Sequence, residues 1–414
     1  MEGVKVHIQR NQTQAALRYL EHFPVLSLLG PRQAGKTTLA KQLGQGWKYF
    51  DLERATDYQL ITNNPQAFFE NYPEKIIIDE AQEYPQLLKI LRGVIDANRE
   101  QKGRFIITGS SSPLLNAQLS DSLAGRVGIL NIRPLKANEY YATPLSKFYD
   151  IFNKIPTKAN LNIGEQTLTN QQMRYCWLYG GYPEPLLKND PSFYLDWMHN
   201  YFNTYINRDI ARLFPRLDNR AYQRFISILS SLSGTIINKS DLARALEISE
   251  GSAREYLQIA ELTYIWRNIH HDDHSMIKSI VKRPKGYICD SGLAHFLQRI
   301  DNMDKLLLAP QHGHSFESFV IEEIIKGIDA STSFNVNYNY YRTAKGSEID
   351  LIIECAAGLI PIEIKMGSSV TKVQLQAMNK YMDENKLEFG LFINQSDRLF
   401  WLTDRILQVP IGFL

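Results

Sequence analysis

The feature that most constrains the fold is a short glycine-bounded run at residues 30–37, which is G-P-R-Q-A-G-K-T. Apolar residues from Val25 to Leu29 precede it and predict a buried strand, and residues 38–43 predict the helix that follows. Glycines at both ends of such a loop let its backbone N–H groups turn inward, and the helix N-terminus adds partial positive charge. The sequence therefore predicts a phosphate-binding loop between a strand and a helix.

Side chains in this loop predict the way in which a nucleotide would be held. Lys36 would reach the outer phosphates, and the hydroxyl of Thr37 would help to hold Mg²⁺. We therefore expect ATP and Mg²⁺ to bind here. The predicted nucleotide contacts in this segment are Gly30, Pro31, Arg32, Gln33, Ala34, Gly35, Lys36, Thr37 and Thr38.

A second motif lies at residues 75–80, where an apolar strand ends in the two carboxylates Asp79 and Glu80. Asp79 would hold Mg²⁺ through water, and Glu80 would act as the general base on the attacking water. The alternative is a buried strand that happens to end in two acids. The separation from the phosphate-binding loop suits a single domain, so we favour the catalytic interpretation.

Ser110 and Arg126, which lie further along the chain, are candidates for sensing the γ-phosphate. Ser110 ends a predicted strand, where its hydroxyl would contact the γ-phosphate or the attacking water, although an ordinary turn explains it as well. Arg126, in the run L-A-G-R-V, would be an arginine finger in the same chain or on a neighbouring subunit. Action on a neighbour would require a homo-oligomer, and a surface salt bridge is the alternative for Arg126.

The pattern of elements predicts an α/β class for the first part of the chain. Strands alternate with helices from Val25 to Leu135, which is typical of a parallel sheet covered on both faces. From Asn138 to about Leu217 the pattern is helical and rich in Tyr and Phe, which predicts a lid. The polar stretch 146–171 within it is predicted to be a loop insertion.

Residues 225–296 show the element order of a winged helix. Ser240 is predicted to cap a helix over 241–246, a second helix spans 251–262, and hairpin strands follow at 264–270 and 279–289. Basic residues around the second hairpin strand would contact phosphates, but many acidic residues in the same region oppose this, so DNA contact is left open. The basic residues are Lys278, Lys282, Arg283 and Lys285.

The last hundred residues predict an α-β-β-β-α-β order with acids at defined places. Asp350 precedes a buried run, and Glu363 and Lys365 are two residues apart on the next strand and share a face. Glu317 lies on the apolar face of the preceding helix. We predict that these three carboxylates hold Mg²⁺ or Mn²⁺ and that Lys365 activates water for phosphodiester cleavage. A hairpin with solvent-facing acids is the alternative.

Composition narrows the class of protein. The 414 residues carry a net charge of only +2, so no global field attracts nucleic acid. The three cysteines have neither disulfide nor zinc spacing, which predicts a reducing compartment. No run approaches the roughly 18 apolar residues of a membrane helix, and the first residues lack the apolar core of a signal peptide. We therefore expect a cytoplasmic protein with no membrane partner.

The motifs together resemble one family, the archaeal and bacterial AAA-type ATP-binding proteins with a winged helix and a C-terminal restriction-endonuclease-like domain of the PD-(D/E)xK type. Ala34 departs conservatively from the valine usual in that family. The resemblance implies a P-loop ATPase at 1–137, a helical lid at 138–224, a winged helix at 225–300 and a nuclease-like α/β domain at 301–414. The motifs are G-P-R-Q-A-G-K-T-T-L, I-I-I-D-E-A-Q, T-G-S-S, L-A-G-R-V, G-G-Y-P-E-P, Y-I-N-R-D-I, P-K-G-Y-I-C-D-S-G-L, F-E-S-F-V, S-E-I-D-L and P-I-E-I-K.

Two functions of different classes are compatible with these features. The first is an ATPase that couples its nucleotide state to a metal-dependent nuclease acting on DNA. The second is a nucleotide-switched regulatory or scaffolding protein whose nuclease-like domain is catalytically silent and only binds DNA or protein. The position of Glu317 relative to Asp350, Glu363 and Lys365 is expected to discriminate between them.

Overall fold

The computed structural model describes residues 8–110, 122–272, 283–332, 336–343 and 346–414. The strands are β1 Val25–Gly30, β2 Lys48–Asp51, β3 Ile76–Asp79, β4 Phe105–Ser110, β5 Val127–Asn131, β6 Thr235–Ile236, β7 Trp266–His271, β8 Lys285–Ile288, β9 Asn337–Arg342, β10 Glu348–Cys355, β11 Gly358–Ile364, β12 Gly390–Asn394, β13 Phe400–Trp401 and β14 Ile406–Pro410.

Helices connect and cover these strands. The α-helices are α1 Thr13–His22, α2 Lys36–Leu43, α3 Ala55–Thr62, α4 Pro65–Asn71, α5 Leu87–Asp96, α6 Ala137–Tyr140, α7 Asn170–Tyr179, α8 Pro183–Lys188, α9 Pro191–Thr204, α10 Ala211–Leu213, α11 Asn219–Ser231, α12 Lys239–Leu246, α13 Glu250–Leu262, α14 Ser291–Leu297, α15 Met303–Leu308, α16 His312–Ser331 and α17 Lys372–Glu384. Short 3₁₀ helices span Ala81–Glu83, Lys147–Phe152 and Ile411–Phe413, and a π-helical segment spans Tyr205–Ile210. Within the described ranges, none of these helices combines the length and the apolar character needed to cross a membrane.

The chain divides into two compact units. The first unit contains Met1–Leu135, Tyr182–Glu184 and Leu262–Tyr264, and the second contains Lys136–Gly181, Pro185–Glu261 and Ile265–Leu414. The predicted boundary at 137/138 lies close to this division. The boundaries predicted at 224/225 and 300/301 do not coincide with a division into compact units, and they stay predictions.

The first unit is built on a parallel sheet in the order β2-β3-β4-β1-β5. Residues of β1 alternate between two apolar clusters: Val25 and Leu29 pack in one, and Leu26 and Leu28 pack in the other. Both faces of the sheet are therefore covered, as the apolar runs predict. The predicted α/β class with a parallel sheet is confirmed. In such a sheet the carboxyl ends of all strands meet at one edge, where functional side chains collect.

The second unit contains a nine-stranded mixed sheet in the order β13-β14-β12-β11-β10-β9-β7-β8-β6. The predicted α-β-β-β-α-β order is observed as α16, β9, β10, β11, α17 and β12. The two predicted helices near residue 250 are α12 and α13, although the side chain of Asn238 caps α12 and Ser240 supplies the capped N–H group. Strand β7 pairs with β8 on one side and with β9 on the other, so the predicted hairpin is part of the larger sheet.

The stretch predicted as a loop insertion is instead part of the core of the second unit. Phe148, Tyr149, Ile151 and Phe152 are buried and belong to the same apolar cluster as residues of α7, α16 and β11. Tyr149 also donates a hydrogen bond to the carbonyl of Glu323 in α16, at 3.1 Å. The prediction was wrong because the polar residues that flank this short 3₁₀ helix mask its apolar side in the sequence.

Candidate functional site

The phosphate-binding loop lies between β1 and α2 and contains backbone conformations that favour glycine. Gly30 has φ +152°, and a Cβ atom there would lie 2.0 Å from the carbonyl oxygen of Ile132. Gly35 has φ +90° and directly precedes α2. Gln33 has φ +63°, an uncommon value for a residue with a side chain. The loop is therefore held in the compact form that turns N–H groups toward a bound anion.

Lys36 is the first residue of α2, and its side chain is buried against the loop that precedes it. Its Nζ donates to the carbonyl of Pro31 at 2.8 Å and to that of Gly30 at 3.2 Å. Burial lowers the pKa of Lys36, while the carboxylates of Glu80 and Asp79 oppose this shift. The ammonium group is therefore positioned at the loop, within reach of both acids of the second motif.

The other predicted contacts in the loop differ in exposure. Ala34 is buried, whereas Gln33 and Thr38 are exposed. Arg32 lies 3.6 Å from Glu53 in a partly exposed ion pair.

Arg10 supports the loop from outside the motif. Its guanidinium donates to the carbonyl of Ala34 at 2.8 Å and to that of Arg133 at 2.7 Å. The side chain is buried, and it ties the loop to the segment that follows β5. Sequence reasoning missed this residue, because nothing in the loop motif indicates a partner 24 residues away.

Asp79 ends β3 and accepts hydrogen bonds from three hydroxyl groups. Thr37 of α2 lies 2.9 Å from one carboxylate oxygen, and Tyr49 of β2 donates to the same oxygen at 2.6 Å. Thr108 of β4 donates to the other oxygen. Burial and the hydrogen bond to Asp79 raise the pKa of Tyr49, so this phenol keeps its proton. Thr37 and Asp79, each predicted to hold Mg²⁺, lie side by side, while Tyr49 and Thr108 were not predicted.

We expect Thr108→Val to slow ATP turnover about 10- to 100-fold while nucleotide binding changes little, because outer partners of a metal-binding carboxylate orient it. Valine keeps the shape of the buried side chain and removes only the hydroxyl. Steady-state turnover and nucleotide titration measure the two effects. Thr62→Val removes a hydroxyl elsewhere in the first unit, on α3, and should leave turnover unchanged. Equal losses in both variants would contradict the role assigned to Thr108.

Glu80 follows β3 in a left-handed backbone conformation, with φ +55°. Its backbone N–H donates to Oγ1 of Thr108 at 3.3 Å, and its carboxylate accepts a hydrogen bond from the side chain of Gln82. Non-glycine residues in this conformation are strained, and such residues concentrate at functional sites. These contacts hold Glu80 directly after Asp79, and its carboxylate acts on the charge of Lys36; its role as the base stays a prediction.

Ser110 ends β4 at the same edge of the sheet as the loop, with Gly30 and Ser110 paired in register. Arg126 lies at the opposite edge, because it precedes β5 and its carbonyl accepts a hydrogen bond from the N–H of Val25 at the start of β1. Five residues of extended strand separate the two edges by roughly 16 Å. This placement does not support an arginine finger acting within the same chain, and the role of Arg126 stays a prediction. The side chain instead forms a bidentate salt bridge with Asp96, at 2.7 and 3.0 Å.

The second unit brings the predicted acids Glu317, Asp350 and Glu363 together, but each of them lies next to a lysine ammonium group. Nζ of Lys365 lies 2.7 Å from Glu363 and 3.1 Å from Asp350. Nζ of Lys285 lies 2.6 Å from Glu317 and 3.8 Å from Asp350. Glu317, Glu348, Asp350, Glu363, Lys285 and Lys365 form one group, which we call the carboxylate–lysine cluster.

Local structure explains how the acids of this cluster converge. Glu348 and Asp350 are two residues apart on β10 and share a face. A register shift between Ile349 and Ile352 then reverses the alternation, so Leu351 and Ile353 pack in the main core. Glu317 enters from α16, whose neighbouring apolar residues fix it against the sheet. Tyr287 donates to Glu317 at 2.7 Å.

The cluster perturbs the protonation of its acids in opposite directions. Burial raises the pKa of Glu363 to about 8, and the nearby Asp350 carboxylate adds to this effect. Burial also acts to raise the pKa of Glu317, but the ammonium of Lys285 outweighs it, and the pKa falls to about 2. Glu317 is therefore ionised and paired with Lys285, whereas the pKa of Glu363 is shifted toward neutrality by its burial.

The residues present do not fit the predicted Mg²⁺ or Mn²⁺ site in this arrangement. No group of three acidic, His or Cys side chains within the described residues is placed to hold a metal ion. Lys285 is 2% exposed, and its ammonium group lies 2.6 Å from Glu317 and 3.8 Å from Asp350. The same burial corrects the suggestion that Lys285 contacts phosphates. Arg283 is exposed, and Lys278 and Lys282 lie outside the described residues.

Comparison with known proteins gives a family for one part of the chain. Residues 22–141 match the model of the AAA domain. Residues 170–304 and 312–414 match the models of two domains of unknown function, DUF8612 and DUF4143. Together with the phosphate-binding loop and the acids after β3, the first match identifies a P-loop AAA-type ATPase domain in the first unit.

The chain is also similar to whole proteins. An uncharacterised protein of Mycobacterium bovis is 29% identical over 406 residues, which are 97% of this chain and 84% of that protein. An uncharacterised protein of Haemophilus influenzae is 21% identical over 328 residues, 71% of this chain and 76% of that protein. The solved Walker-type ATPase of Pyrococcus abyssi is 16% identical, with a TM-score of 0.43 over 70% of this chain and 96% of that chain.

Proposed function

We propose that this chain is an ATP-hydrolysing switch whose second unit binds DNA or a protein partner according to the bound nucleotide. The observation that carries the first half is the convergence of Lys36, Thr37 and Asp79 at one edge of the parallel sheet. Lys36 would bind the β- and γ-phosphates of ATP, and the helix N-terminus of α2 would add positive charge. Glu80 would take the proton of the attacking water.

Mg²⁺ fits this edge of the first unit, because the hydroxyl of Thr37 and the carboxylate of Asp79 are oxygen donors of the kind that it prefers. The ion would supply charge neutralisation between the phosphates. Thr108 and Tyr49 would orient Asp79, and Arg10 would hold the loop in place. Ser110 stays a candidate sensor at the same edge, and Arg126 stays a candidate only for a neighbouring subunit of a homo-oligomer.

The second half of the proposal favours a silent nuclease-like domain over an active one. The support is the pairing of Lys285 and Lys365 with the acids that would otherwise bind a divalent metal. One observation favours the active alternative, an ATP-regulated nuclease. Oε2 of Glu363 is buried and has no hydrogen-bond partner among the described residues, so it is available to a cation if the cluster rearranges.

Glu80→Gln should retain ATP binding and lose most turnover, about 100-fold or more, because it removes only the base. Partner binding is then measured in two nucleotide states. Glu80→Gln with ATP represents the ATP-bound state, and wild type with ADP represents the ADP-bound state. DNA of linear, supercoiled, branched and single-stranded form, and RNA, are each tested for binding and for cleavage with Mg²⁺ or Mn²⁺. We expect no cleavage with either nucleotide. Cleavage that is lost in Glu363→Ala would contradict the silent domain and support the nuclease.

A further inference from the structure

One ammonium group lies at the centre of the carboxylate–lysine cluster. Nζ of Lys285 lies 2.6 Å from Oε1 of Glu317 and 2.5 Å from Oε1 of Glu348. Oδ1 of Asp350 lies 3.8 Å from the same nitrogen. Three carboxylates, from α16 and β10, therefore converge on one buried positive charge.

We propose that Lys285 is a built-in counter-ion that occupies the place of a divalent cation and keeps a latent metal site closed. The latent site consists of Glu317, Glu348 and Asp350. This inference rests on the proposed silent domain and deepens it, because it names the group that prevents metal binding. All three ligands are carboxylate oxygens, so the site would accept a hard divalent cation, and Ca²⁺ is the probe used below.

The distances support this assignment. Nζ of Lys285 lies directly against Glu317 and Glu348, so a cation at its position would contact both carboxylates. Asp350 would have to approach by roughly 1 Å, which a change of side-chain rotamer can supply. A divalent ion at the position of Nζ would also neutralise more of the three negative charges than one ammonium does.

The lysine is held in place by the backbone on both sides. Lys285 is the first residue of β8, where it pairs with Ile236 of β6 and Ile269 of β7. The charge is therefore part of the sheet and is always present at high effective concentration, unlike an ion from solution. A metal that entered would leave Lys285 buried without its partners, which is strongly unfavourable.

The test is Ca²⁺ titration by calorimetry of the full chain without nucleotide, comparing wild type with Lys285→Met. We expect the variant to bind one Ca²⁺ at least about tenfold more tightly than wild type, because three carboxylates lose their counter-ion. Ca²⁺ should also raise the melting temperature of this variant, by roughly 4 °C. Adding Asp350→Asn to the variant should remove the gain.

Lys326→Met is the matched control, because Lys326 is a buried lysine of the same unit paired with Glu323 at 3.0 Å. Glu323 also lies 3.5 Å from Lys136, so it keeps a second counter-ion when Lys326 is replaced. Gain of Ca²⁺ binding in both lysine variants would overturn the proposal, as would a folded Lys285→Met protein that gains none.

Wild type gives an independent answer if the buried substitution prevents folding. Ca²⁺ binding by wild type that Asp350→Asn abolishes would overturn the proposal, whereas folding of Lys285→Met or Lys285→Gln only when Ca²⁺ is added would support it. Circular dichroism with and without CaCl₂ reports that difference. The titration measures neither ATP turnover nor DNA cleavage, so its failure is distinguishable from failure of the proposed function.

Discussion

Lys36→Ala is expected to reduce ATP turnover at least about 100-fold, because its ammonium group would neutralise charge on the transferring phosphoryl group. Loss of one such preorganised donor costs about 3–4 kcal/mol of transition-state stabilisation, and 1.4 kcal/mol corresponds to tenfold. Nucleotide affinity should fall as well, because Nζ lies at the loop that would hold the phosphates. Turnover and titration with a fluorescent ATP analogue measure the two quantities.

Folding should not account for this loss. Lys36 is buried at a cost that lowers its pKa, so removing its charge relieves desolvation while it removes two hydrogen bonds to loop carbonyls. Lys89→Ala is the control, because Lys89 is an exposed lysine on α5 of the same unit. A Lys36→Ala protein that still hydrolyses ATP at the wild-type rate would refute the assignment of the phosphate-binding loop.

The second large effect concerns stability, and it arises from the ring of Tyr149 lying against Gly327 of α16. A Cβ atom at Gly327 would lie 2.0 Å from Cζ and 2.1 Å from Cε1 of Tyr149. Both residues are buried, and the ring is held by the hydrogen bond from its hydroxyl to Glu323. Gly327→Ala is therefore expected to lower the free energy of unfolding by about 3 kcal/mol, at the upper end for an overpacked core. Urea denaturation measures this difference.

Gly313→Ala is the matched control on the same helix. No atom lies within 4 Å of a Cβ built at Gly313, so alanine there should be neutral or stabilise the protein by up to about 1 kcal/mol through helix propensity. Tyr149→Leu combined with Gly327→Ala should be less destabilised than the sum of the single changes, because the ring that causes the clash is gone. Additive effects would show that the clash is not the cause.

Local periodicity and turn chemistry were sufficient to predict much of the fold. The strand, loop and helix around Lys36 follow from apolar runs that flank a glycine-bounded loop. The strand that ends at Asp79 and the α-β-β-β-α-β order near the C-terminus follow from the same kind of pattern. These features depend on neighbours in sequence, and the structure contains each of them.

What could not be predicted depends on contacts between distant residues. Lys285 lies close to the basic residue Arg283 in sequence, and both were predicted to contact phosphates. In the structure Lys285 is buried, and its partner Glu348 is 63 residues away in the chain. Tyr49 reaches Asp79 only because β2 and β3 are neighbours in the sheet. The position of Arg126 relative to the two edges of the sheet depends on the parallel pairing of β5 with β1. This pairing is not visible in the sequence, so Arg126 was predicted to lie near the catalytic groups. Periodicity carries no information on these pairings.

The continuity of β7 with β9 has a consequence for any recombination of this protein with a related chain. A crossover placed between residues 300 and 301 would combine β6, β7 and β8 of one parent with β9 to β14 of the other. The new junction would have to match His270 with Asn339 and His271 with Tyr340 in register, and it would also have to keep a lysine opposite the acids of β10. A crossover between residues 135 and 136 leaves every strand of both sheets with its own parent, so functional chimaeras should be recovered there first.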